Sequence, residues 1–219
     1  MLDAKLRINR REGKENVKHK PVIEGADLVR VQSSEFTSMN TPAGLQRRVW
    51  FFISLYWCRR GREGQRELTR SSFEFLKDGE GREFVMMTHD EATKNHPGGE
   101  TDKQSSERET RLYSTGKPDD AFASVKQYVS KLNPLCNAFF QRPRPRIRSE
   151  DPVWYENKPL GVNSLGNMMK SISTGCNLSK IYTNHSVRAT AISLWSDADI
   201  PDRHITFVSG HSNEQSLAH

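Results

Sequence analysis

FEFLKDGEGREFVMMT, residues 73 to 88, is the stretch whose reading decides the fold. FEFL and EFVMMT are short, apolar and strand-like, and DGEG between them supplies the two glycines of a tight turn. A third strand-like piece, TRLYST, follows around Leu112 and Tyr113. Between the last two lies EATKNHPGGETDKQSSERE, too hydrophilic for a core; it reads as a long exposed loop of the kind that carries function.

Outward from this sheet the spacing turns helical. Thr41-Pro42 opens a helix with Leu45, Val49, Phe52, Ile53 and Tyr56 on one face. WCRRGREGQRELT after it, broken by Gly61 and Gly64, reads as a tight corner. Past Gly116-Lys117-Pro118, Asp119 or Asp120 caps a helix carrying Phe122, Val125, Tyr128, Val129 and Leu132. RPRPRIR at 142 to 148 forbids a helix and predicts an extended basic strip. Asn163 or Ser164 caps the next helix, with Leu165, Met168, Met169 and Ile172 apolar. A further helix starts near Asn184 with Val187, Ala191, Leu194 and Trp195 facing inward, and a short one runs from Pro201 to a cap at Gly210. The expected fold is α+β: mostly helices, with one small antiparallel sheet near the middle. Residues 1 to 20 are charged, lack an apolar stripe and read as a linker or tail, leaving 21–219 as one domain.

Composition narrows the function. Of 219 residues only 34% are hydrophobic, and 33 Lys and Arg against 27 Asp and Glu give a net charge of +6. That balance favours a polyanionic partner. Cys58, Cys136 and Cys176 are odd in number and widely spaced, which suits a reducing compartment and argues against a disulfide framework. No stretch approaches the ~20 apolar residues of a membrane span. A zinc site from Cys176, His185, His204 and His211 is weighed and rejected, because no pair has the local spacing of metal ligands.

The sharpest local signal is HSVR, placing His185 and Arg188 at i and i+3 on the first turns of a helix. Side by side, the two can donate hydrogen bonds to the oxygens of one phosphate, the Arg as a planar fork. Taken alone the pair also fits an inconsequential surface pairing. Context adds Arg60-Gly-Arg-Glu63 far upstream and Val208-Ser-Gly-His211 downstream.

This ordered set resembles the catalytic domain of tyrosine recombinases (phage integrases). RRGREGQREL, TKNHPGG, PLGVNSLGNMM, YTNHSVRATAISL and RHITFVSGHSNEQSL are most similar to the Crypton-type group and its domesticated animal relatives, including the C-terminal domains of zinc-finger MYM-type proteins. The resemblance covers roughly residues 20 to 219. It implies that Arg60, or Arg62 in the alternative register, is the first phosphate-clamping Arg, buttressed by Glu63. His185 and Arg188 complete the clamp, and His211 lies near the scissile phosphate. Lys94 is the candidate general acid for the leaving 5′ oxygen, with Lys77 and Lys103 as rivals.

Such a site stabilises charge on two non-bridging oxygens without a metal or cofactor, and a Lys proton completes the departure. The implied nucleophile is a Tyr hydroxyl, at a spacing just beyond His219, so the chain is expected to be truncated before that helix is complete and inactive as given. Tyr56, Tyr113, Tyr128, Tyr155 and Tyr182 do not occupy the place, and Tyr182 is expected to pack. The family's N-terminal DNA-clamping domain is also expected to be missing, with residues 1–20 as its tail. The implied partner is the DNA phosphate backbone, with homo-oligomers on DNA, no membrane and a nuclear location. A catalytically dead chromatin or protein-interaction module in transcriptional regulation is the alternative, and RPRPRIR could equally be a proline-rich docking strip.

Overall fold

In the computed structural model, which describes residues 21–59, 64–88 and 110–209, the elements run α1 (Gly25–Ser33), a 3₁₀ turn (Glu35–Thr37), α2 (Pro42–Tyr56), β1 (Phe73–Lys77), β2 (Glu83–Met87), β3 (Arg111–Tyr113), α3 (Ala121–Ser130), β4 (Gln141–Pro143), β5 (Tyr155–Pro159), α4 (Val162–Gly166), α5 (Met168–Gly175), α6 (Asn184–Asp197) and α7 (Asp202–Ser209). The fold is α+β. Helix α2 is its axis. Thr41 Oγ1 accepts the Gly44 N–H at 3.1 Å, and Pro42 at the first helical position has no N–H to leave unsatisfied. The helix is buried almost all round, with Leu45, Val49, Trp50, Phe51, Phe52 and Ile53 in the core.

Two of its buried polar residues are fully employed. Gln46 Nε2 donates to Tyr128 Oη at 3.2 Å and to Gln141 O at 2.5 Å. The Arg48 guanidinium donates to Ser124 Oγ, Gln32 O and Asp119 O, joining α1, α2 and the start of α3. The 3₁₀ turn packs so tightly that a Cβ on Gly44 would lie 2.4 Å from Ser38 O, and one on Gly175 2.4 Å from the Phe36 ring.

The first sheet is antiparallel in the order β1-β2-β3, with Phe75 opposite Val85 and Val85 opposite Leu112 facing the core. Its turn is closed by Asp78, whose carboxylate accepts the Glu80 and Arg82 N–H groups, and by Gly81 at φ 79. Helix α3 is capped by Asp120, whose Oδ1 accepts the Ala123 N–H at 2.6 Å.

Four expectations need correction. There are two sheets among the described residues: β4 pairs antiparallel with β5 across a register shift. Gln141 anchors β4 by side-chain bonds to Asn133, Cys136 and Ala138, a non-local network that alternation cannot reveal. The helix expected to start at Asn163 or Ser164 begins at Val162 after Gly161 and is interrupted at Asn167, though Leu165, Met168, Met169 and Ile172 are buried as expected. Tyr56 is 38% exposed at the last turn of α2. Leu194 is exposed, because the last turns of α6 pack on α7 through Trp195 and no longer on the main core.

Candidate functional site

The start of α6 is held from three sides before its functional residues begin. Tyr182 is fully buried; its N–H donates to Ser173 Oγ at 3.0 Å and its hydroxyl to Asp27 Oδ2 at 2.9 Å. The buried Asn184 side chain accepts the Met169 N–H at 3.0 Å and donates to Leu165 O at 2.8 Å, tying the first turn to α4 and α5. Ser186 Oγ accepts the Thr183 N–H, and the Ile23 N–H reaches Thr190 Oγ1 from the N-terminal side. Burial works to raise the Asp27 carboxyl. The Ser179 hydroxyl and N–H, the Tyr182 hydroxyl and Arg30 together outweigh it and hold the group below its ordinary value.

On this fixed start His185 is exposed in the first turn, where unsatisfied N–H groups make the helix end electropositive. Arg188, one turn on, is half-buried. Its Nη1 donates to Cys58 O at 2.9 Å and its Nη2 to Ser209 O. One guanidinium therefore joins the ends of α2 and α7 to the first turns of α6.

Cys58 answers in kind. Its Sγ lies 3.9 Å from Arg188 O, and burial pushes the thiol up to about 11 against the opposing pull of Arg188. The end of α2 explains why this carbonyl is presented. The Cys58 N–H bonds Leu55 O, the Arg59 N–H bonds Ser54 O, and Cys58 sits between them at φ 45, which is the Schellman pattern with a non-glycine residue in the left-handed position. Arg59 Nη2 then donates to Gly64 O at 2.5 Å. Cys58, Ala191, Ile192 and Ile205 form a small apolar cluster beneath this junction, separate from the main core.

Of the residues singled out from sequence, His185 and Arg188 lie on one helix as expected, with different exposures. Arg60, Arg62, Glu63, Lys94, Lys103 and His211 fall outside the described residues. Lys77 is exposed at the end of β1. Tyr182 packs, as expected. Tyr128 and Tyr155 are also fully buried, with hydroxyls donated to Phe139 O and Pro42 O and pKa values pushed well up by burial. The three cysteines are buried and free. Among the described residues no group of three His, Cys, Asp or Glu side chains could hold a metal, and no helix is long and apolar enough to cross a membrane. Sequence reasoning missed Cys58, Arg59 and Ser209. Two of them act through backbone carbonyls, which leave no mark on residue type.

No protein-family model matches the sequence, and no curated protein matches it. Among solved structures, the chain is similar to the integrase of the transposon Tn1549 in complex with a circular-intermediate DNA, at 13% identity and a TM-score of 0.49. The match covers 93% of this chain and 63% of that integrase chain, so the chain spans less than two thirds of its length.

Proposed function

We propose that this chain is a DNA-binding domain of the tyrosine recombinase type, within the Crypton-like group, with a phosphate clamp on the first turns of α6. The observation that carries the reading is the double grip of Arg188 on Cys58 O and Ser209 O. Arg60 follows Cys58, and His211 follows Ser209, by two residues each. In sequence, each accepting carbonyl therefore lies within two residues of a clamp motif, which is what supports the reading. Arg and His donors at one phosphate would stabilise the charge that builds on its non-bridging oxygens as a nucleophile attacks. Lys94 is the proton donor in this reading, and assembly of several copies on nuclear DNA goes with it.

A second reading is a module that binds DNA without cutting it. Tyr128, Tyr155 and Tyr182 are fully buried, and burial raises the pKa of the first two, so none of the three is placed to attack a phosphate.

Binding of a fluorescent DNA duplex at low salt tests the clamp. R60A and H185A should each weaken binding about 10- to 100-fold, the range for a charged hydrogen bond, while K94A leaves affinity unchanged. If R60A and H185A bind like the parent, the clamp reading fails. On a nicked suicide duplex no covalent adduct is expected of this chain on either reading, and an adduct would overturn the silent module.

A further inference from the structure

The strip RPRPRIR is not used by the clamp. Arg142, Arg144, Arg146 and Arg148 are all exposed, whereas Pro143 and Ile147 are half-buried, Ile147 against the main core. Even positions therefore face solvent, and two of the odd positions fasten the strip. The fastening is firm: Gln46 holds Gln141 O at 2.5 Å, β4 pairs with β5, the Arg144 N–H bonds Trp154 O at 3.0 Å, and the Arg148 N–H bonds Asp151 Oδ2 at 2.8 Å.

We infer that this strip is a second track for the DNA backbone, distinct from the clamp; the inference rests on the DNA reading above. Gln46, which holds the root of β4, lies ten residues before Tyr56 on α2, about 15 Å along the axis at 1.5 Å per residue. The strip is thus rooted well away from the end of α2 that Arg188 grips. β4 itself presents Arg142, and Arg144, Arg146 and Arg148 follow it in the chain. Beyond it the chain bends at residues 145–146 with its arginines still exposed.

The arginines carry few competing partners. Arg142 Nε is 3.6 Å from the half-buried Glu156, a loose pair, and Arg144 Nη1 donates to Val153 O at 3.2 Å. Glu150, Asp151 and Lys158 lie nearby in sequence, and Lys131 donates to Ser149 O and Asp151 O beside Arg148. A polypeptide groove that reads polyproline needs prolines presented together. Here Pro143 is committed to β4, and within the strip only Pro145 is exposed.

The test is the salt dependence of duplex binding by the full chain and by the quadruple variant R142Q/R144Q/R146Q/R148Q, whose exposed sites should leave the melting temperature unchanged. The slope of log K against log salt should fall by roughly 2 to 4, at ~0.9 for each phosphate that is no longer neutralised. The quadruple Lys variant should restore most of it. An unchanged slope in the Gln variant overturns the inference and leaves the strip to a polypeptide partner. Failure of the clamp reading looks different: R60A and H185A would bind normally while the Gln variant still flattens the salt dependence.

Discussion

Replacing Arg188 with methionine keeps much of the side chain's bulk and removes every donor. Among the interactions lost are hydrogen bonds from a charged group to Cys58 O and to Ser209 O. Each is worth ~1.5–3 kcal/mol, but the site is half-buried and both carbonyls regain some water, so the total should be about 2–4 kcal/mol. The effect should be local. Helix α7 is held by Ile205 in the small cluster and by this guanidinium, and that cluster meets the core around α2 at Leu55. Native-state hydrogen exchange should therefore show the amides of residues 202–209 opening roughly 30- to 900-fold more often, at 1.36 kcal/mol per tenfold. The amides of Val49, Trp50 and Val85 should keep their protection. Equal deprotection throughout, or no change in α7, would refute the claim that Arg188 fastens α7 as a separable unit.

Three further outcomes follow from the packing. The Asp27 carboxyl is held below 3.8, so its contribution to stability is fully present above about pH 4 and is lost as pH falls through the depressed value. Urea midpoints measured down the acid range should show this decline in the parent, while Asp27→Asn should be less stable at neutral pH and lack that part of the acid limb. Gly175→Ala would press a Cβ to 2.4 Å from the Phe36 ring and should cost ~1–3 kcal/mol in thermal unfolding, whereas Gly25→Ala, with nothing within 4 Å, should change stability by less than ~1 kcal/mol. Cys58, 1% exposed and with its thiol pushed to about 11, should resist iodoacetamide at neutral pH in the native parent, and mass spectrometry should find it labelled faster in Arg188→Met.

What could be read from residue types was the local chemistry. Thr41-Pro42 and Asp120 announce their helices because a cap acts on amides two or three residues away. Phe73–Lys77 and Glu83–Met87 announce a hairpin because the turn between them is self-contained. Gln141–Pro143 announces nothing, since a Gln, an Arg and a Pro become a strand only through bonds to a neighbouring loop and to α2. Arg48 looks like a surface cation by composition and is buried because carbonyls of Gln32 and Asp119 surround it. At the site, HSVR was visible, but its grip was not: Cys58 lies 130 residues from Arg188 in the chain, and the accepting atom is one that every residue possesses.

The central position of α2 also dictates when the chain can fold. Early in synthesis the helix has its caps but not its walls: Tyr128, Tyr155 and Val187 of the same core are still to come. The N-terminal segment waits longest, because Ile23 bonds Thr190 across 167 residues and Asp27 bonds Tyr182 across 155. Closure over such separations is slow, and the apolar surface stays open while the ribosome is still at work. A nascent chain that stops before Asn184 should thus emerge with Val49, Phe52 and Ile53 uncovered, and should depend on chaperones or precipitate. Expression of this domain is governed by its last helices, although the helix at its centre is made early.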